Sequence, residues 1–323
     1  MLAAFKRNNL LQILFILIAV ILLWVKAFLS PAGMAVEHYF SPLYGLLHDL
    51  LSSCPKVAAA LALLLIVVEG VWLNLIMSYN KLGDTNWLMP TLLFILAMGW
   101  QGGSLTLTPM TVAWLPLLAA ASQLLSRGDT SLGVSRNFNA AFLVGIATMC
   151  YLPAVVFVVP FLLSFVSYKA YRWRDLVVAI LGLTAPLLLL VVYAFLTDKL
   201  EYYLILFRHD IVDMHIVTDT SDMADIVSNI LFILILLWAF LSQLMSLGDT
   251  TIQHRINTVV FMLPLTAALL MLPYGTVFVV DTQGAALPFA FLVSNLLAIK
   301  RKHSWINELV FCIILLGCLL ANA

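Results

Sequence analysis

The stretch FNAAFLVGIATMCYLPAVVFVVPFLLSFVSY, residues 138–168, decides how this chain is folded. It is apolar almost from end to end, too long for one membrane crossing and short for two, since a ~30 Å hydrocarbon core takes about 20 helical residues. The charges that follow arbitrate. Lys169, Arg172 and Arg174 come directly after the run, and cations collect on the cytoplasmic side of membrane proteins. With the N-terminus inside, only two crossings within 138–168 return these three cations to the cytoplasm. Two short helices meeting near Tyr151-Leu152-Pro153 are therefore expected. The first, 138–150, reaches only ~20 Å. It is too short to span unaided and is expected to lie against other helices or to line a cavity.

Further apolar runs lie on either side, at 10–29, 55–77, 87–104, 109–125, 175–196, 226–246, 258–272, 283–299 and 305–322. With the central pair they make eleven crossings. This count leaves twelve of the 16 Lys and Arg on the cytoplasmic side and only Lys26, Lys56, Lys199 and Arg208 outside. The expected fold is all-α: a polytopic transmembrane bundle of about eleven spans forming one integral membrane domain over 1–323, N-terminus in and C-terminus out. Composition agrees. The 323 residues are 63% hydrophobic and 10% charged, with a mean hydropathy of +1.08, whereas a soluble domain is about a quarter charged. The formal net charge is zero, so there is no electrostatic footprint for nucleic acid. Membrane lipids and other membrane proteins are the partners to expect. Lys6-Arg7 before the first apolar run resembles a signal peptide, but the run exceeds a typical h-region and reads as a retained helix. Four scattered cysteines, three of them inside apolar runs, predict no structural disulfide.

Ten of the sixteen acidic residues fall in outer segments, chiefly 30–54 and 197–225. Both segments mix Tyr, Phe and Leu with polar residues and read as chain lying on the membrane surface. Nine of the twelve prolines, among them Pro116, Pro153, Pro186 and Pro264, lie in or at the edges of spans. They read either as ordinary kinks or as helices broken around a polar cavity. An internal repeat is also visible: QLLSRGDT at 123–130 and QLMSLGDT at 243–250 agree at six of eight positions, with a shorter echo, LGDT, at 82–85. Four crossings separate the two long copies, which implies a parallel repeat. Glycine in the left-handed conformation would end one helix and Asp or Thr would cap the next. The alternative is a cytoplasmic cation or phosphate site built from Asp84, Asp129 and Asp249.

Glu69 is the one carboxylate deep inside an expected span, with Asn74 one to two turns away. It is either a hydrogen-bonded or protonated structural group or a functional intramembrane acid. In the first outer segment Glu37-His38-Tyr39 precedes a stretch with Tyr44, Leu46, Leu47, Leu50 and Leu51 that reads as an interfacial helix. An acid there suits a general base acting on an acceptor hydroxyl. In the second, Arg208-His209-Asp210-Ile211-Val212-Asp213-Met214-His215 offers a bidentate phosphate contact in Arg208. If this stretch is helical, His209 and Asp213 become i,i+4 neighbours with metal-ligand atom types. No zinc spacing and no nucleotide or hydrolase motif is present, so the sequence implies no cofactor and leaves a metal undecided.

The run 138–153, followed by Tyr171-Arg172-Trp173-Arg174-Asp175 and Leu181-Gly182-Leu183-Thr184-Ala185-Pro186, resembles a family of uncharacterised multi-pass bacterial inner-membrane proteins. That resemblance implies the architecture and the location. More distantly, one span followed by an outer loop with an acid and an interfacial helix resembles GT-C-type glycosyltransferases and polysaccharide polymerases, which use polyprenyl-phosphate-linked sugars. In that family an acidic residue of the first outer loop is catalytic, and the matching position is Glu37, where the family's usual Asp is replaced by Glu37-His38. Three readings follow. The first is envelope glycan assembly, with Glu37 as base and Arg208, His209 and Asp213 at the lipid phosphate. The second is a transporter of a lipid or small solute built on Glu69, Asn74 and the proline-broken helices. The third is a non-catalytic membrane subunit or scaffold.

Overall fold

A computed structural model of the chain describes residues 9–29, 41–83, 88–100, 106–125, 133–167, 173–212, 223–249, 251–271, 282–298 and 304–322. Among these residues there is no strand. The helices are α1 Asn9–Leu29, α2 Pro42–Leu51, α3 Pro55–Tyr79, α4 Met89–Met98, α5 Pro109–Leu125, α6 Gly133–Cys150, α7 Val158–Ser167, α8 Trp173–Leu196, α9 Leu200–Val212, α10 Met223–Ser246, α11 Ile252–Met262, α12 Pro264–Met271, α13 Ala286–Ala298 and α14 Ser304–Asn322. Each apolar run of the sequence carries helix. By length and composition α3, α8 and residues Val227–Ser246 of α10 are candidate membrane-spanning helices, and several shorter apolar helices accompany them. The chain is an all-helical membrane protein.

The core is built on two short helices. Every residue of α4 is buried, and α13 is buried except at Asn295 and Ala298. Helices apolar on all sides must be enclosed by others. Accordingly α4 packs between α3 and α13, and α13 is covered on its far side by α10. Ten residues rise only ~15 Å, so neighbouring helices shelter the ends of α4. Trp100, just past α4, meets Phe232 of α10 edge to face at 5.2 Å. Phe289 of α13 stacks on the same Phe232 at 4.4 Å and 11°.

The break at Tyr151 lies where the sequence places it. Tyr151 is extended (φ −151°, ψ 112°), and a 3₁₀ turn, Leu152–Phe157, follows with Pro153 in its first positions. Proline lacks the N–H that would bond back into α6. The first helix is longer than expected. It starts at Gly133 rather than 138, and its 18 residues rise ~27 Å. Just past the added turn Asn137, 3% exposed, ties α6 to α8 by donating from Nδ2 to Asp175 Oδ1 at 3.2 Å.

Of the two readings of the prolines, the broken helix around a polar cavity is not seen at these positions: Pro116 and Pro186 lie inside continuous helices, and the break at Leu263–Pro264 borders an apolar groove. That groove, about 510 Å³, is lined by leucines, Ile233, Phe240, Val259, Met262 and Thr266. The turn expected of the repeat is corrected. Gly248 lies in a 3₁₀ turn, Leu247–Asp249, and no described glycine is left-handed. The left-handed residues are Lys81 (φ 56°) and Asp198 (φ 53°). They close α3 and α8 through Leu82 N–H to Met77 O and Lys199 N–H to Ala194 O, both 2.9 Å. A Cβ on Gly248 meets nothing within 4 Å. Gly248→Ala therefore leaves stability within about 0.5 kcal/mol, as thermal unfolding in detergent will show. A loss of ~1 kcal/mol would restore the left-handed turn. Gly128, Asp84 and Asp129 lie outside the described residues, and Asp249 is described in its backbone alone.

Candidate functional site

In the first of the two segments expected outside, residues 42–51 form α2, which opens on Pro42 at a position where proline's missing N–H is not needed. It buries Tyr44 and leaves Leu46 and Leu50 exposed by 57% and 77%, the sidedness of an interfacial helix. Tyr44 anchors it by donating from its hydroxyl to Leu107 O at 2.8 Å. Nearby, Thr108 Oγ1 donates to Gln283 Oε1 at 2.8 Å and Trp114 Nε1 donates to Gln283 O at 2.9 Å. These bonds tie the start of α5 to the turn before α13.

In the second, residues 200–212 form α9, two positions after the left-handed Asp198. Met149 of α6 and Leu190 of α8 make a small core against which Leu43 of α2 and Tyr203 and Leu206 of α9 all pack. Two segments about 160 residues apart in sequence thus cover one hydrophobic cluster. They also meet electrostatically: burial pushes the Tyr203 phenol above its ordinary range, with smaller contributions from Tyr193, Tyr202 and the Asp49 carboxylate of α2. Asp49 is 84% exposed at its side chain, 3.7 Å from His48 Nδ1. Sequence reading missed Asp49 and Tyr203 because each becomes notable only once α2 and α9 are adjacent.

Arg208 is exposed. It stands five positions from Tyr203, about 140° around the helix, so it points away from the α2 contact. It shares a side instead with Leu204 and Ile205, exposed by 57% and 61%. An exposed apolar strip carrying a guanidinium suits the headgroup level of a bilayer, where the stem lies among apolar groups and the charge meets phosphate. His209 is helical in its backbone, while Asp213 and Glu37 lie outside the described residues. Among the described residues no group of three His, Cys, Asp or Glu is placed to hold a metal.

Inside the bundle, Glu69 has no exposure, and neither carboxyl oxygen has a hydrogen-bond partner among the described residues. Asn74 is also buried, yet it is not bonded to Glu69, because five positions along a helix separate them by about 140°.

No family model, no curated protein and no solved structure matches this chain.

Proposed function

We propose that this is a bacterial inner-membrane protein of eleven crossings that handles a polyprenyl-phosphate-linked glycan at its outer face in envelope glycan assembly. Helix-end contacts support the topology. Tyr44 to Leu107 and Thr108 to Gln283 join ends assigned outside, while Leu88 to Gln12 and Asn137 to Asp175 join ends assigned inside. The observation that carries the functional reading is the meeting of α2 and α9 over Met149 and Leu190. It sets α2, which follows Glu37 in the chain, beside α9, which carries Arg208 on its exposed side. In this reading Glu37 takes the proton of the acceptor hydroxyl as that oxygen attacks the sugar carbon and the lipid phosphate leaves. Arg208, with His209 and Asp213 beside it in sequence, meets that phosphate.

The test separates the two roles. Glu37→Gln keeps the shape of the side chain but removes the base, so transfer is abolished while polyprenyl-phosphate binding in nanodiscs persists. Arg208→Ala removes a charge-assisted hydrogen bond of roughly 1.5–3 kcal/mol, weakening that binding by about 10- to 100-fold. Parental growth, envelope glycan profile and lipid binding in both variants would overturn the reading.

A further inference from the structure

We propose that Glu69 is a proton-binding site inside the helix bundle, and that its bound proton is the condition for α3 to close on α4 and α5. The inference rests on the burial and packing of this carboxyl and is independent of the outer-face reading. α3 buries a stripe containing Ala62, Ile66, Glu69, Leu73 and Ile76, which places the carboxyl in the middle of its packed side. The two helices touch at the very next residue. Thr91 Oγ1 donates to Gly70 O at 3.0 Å, and a Cβ on Gly70 would stand 3.2 Å from Thr91 Cγ2 and from Thr91 O. The Thr91 hydroxyl proton is thereby committed to a backbone carbonyl.

The elements packed on α3 offer no counter-ion at this depth. α4 and α5 contain no Asp, Glu, Lys, Arg or His. Lys26 is the only charged residue of α1. Gln12 meets Leu88 and Leu23 meets Gly99, so α1 and α4 run side by side in register. Thr91, opposite Gly70, then sets Glu69 level with residues 15–16 of α1, ~15 Å along the axis from Lys26. His48 and Asp49 of α2 sit toward the outer end of α3, where Tyr44 packs against Ala58 and Ala62. Lys56, on α3 itself, is thirteen positions away, ~20 Å.

An unpaired carboxylate in such surroundings is strongly unfavourable. A metal ion requires several oxygen ligands, and this wall supplies one carboxyl. A proton needs no ligand beyond that carboxyl, and it removes the charge. Protonation and closed packing therefore favour each other, and release of the proton favours parting of α3 from α4.

The test compares the parent with Glu69→Gln in nanodiscs. Infrared difference spectra at neutral pH are expected to show a carboxylic-acid C=O band that shifts in D₂O and is lost in the variant. In unfolding curves from pH 5 to 9 the parent should weaken relative to Gln by up to tenfold in the folding equilibrium per pH unit. The sign follows because the closed state holds a proton that the unfolded chain releases. A carboxylate signal in place of that band, or parallel pH profiles, would overturn the proposal. Should Glu69→Gln fail to fold, ¹³C-glutamate labelling in a Glu308→Gln background leaves only Glu37, Glu69 and Glu201 to report. A protonated signal persisting at pH 8 supports the site, and three ionised carboxylates sink it.

Discussion

Gly182→Leu is expected to prise α6 from α8 and to cost roughly 3 kcal/mol or more, at or beyond the upper end of overpacking effects. A Cβ at Gly182 would stand 2.6 Å from Phe138 O and 2.9 Å from Ala141 Cβ. The first of these is backbone and cannot rotate away. The contact is reciprocal, for a Cβ at Gly145 would meet Leu183 O at 2.7 Å and Pro186 Cγ at 2.9 Å. Where both a helix's neighbour and its solvent are apolar, association depends on close packing, and small residues permit the approach. Because α6 and α8 also carry the Met149–Leu190 cluster beneath α2 and α9, the substitution should loosen α2 and α9 as well. Unfolding in mixed detergent, read beside Leu181→Val at a position 57% exposed, isolates the effect. Equal midpoints for the two variants would mean that the helices do not meet at Gly182.

Phe289→Ala should cost a comparable amount, about 3–5 kcal/mol. The ring has no exposure, stacks on Phe232 and lies 6.1 Å from Trp100, joining α13, α10 and the end of α4. In a membrane the loss is less one of transfer from water than of dispersion contacts around an unfilled space. The control is Leu234→Ala on α10, 63% exposed, which faces outward and should change the midpoint little. A Phe289 variant as stable as that control would show that the aromatic cluster does not hold the bundle together.

Much of this molecule can be read without coordinates because an apolar solvent imposes hard rules. A backbone in lipid must bond to itself, so apolar runs of sufficient length become helices, and 10–29, 55–77, 175–196 and 226–246 do so nearly to the residue. Proline's missing N–H likewise marks the end of α6 at Tyr151 from sequence alone. Boundaries drawn on polarity fare worse where polar groups find partners. Asn137 and Asp175 satisfy each other, and the helix runs five residues past the apolar edge. The repeat misleads for a related reason: a Gly-Asp-Thr string permits a left-handed turn without requiring one, and Gly248 lies in a 3₁₀ turn while Lys81 and Asp198 take the left-handed conformation elsewhere.

The candidate residues divide along the same line. By itself the sequence determined that Glu69 lies deep in an apolar run and that acids and Arg208 crowd the polar segments 30–54 and 197–225, because charge and hydropathy are properties of position along the chain. Only the tertiary structure decided that Glu69 has no hydrogen-bond partner among the described residues, that Asn74 faces elsewhere, that Arg208 turns away from Tyr203, and that Asp49 approaches α9. These depend on which helix faces meet. In a bundle whose surfaces are nearly all apolar, the hydrophobic pattern carries little information about those faces, and small residues such as Gly145, Gly182 and Gly70 set them by allowing backbones to touch.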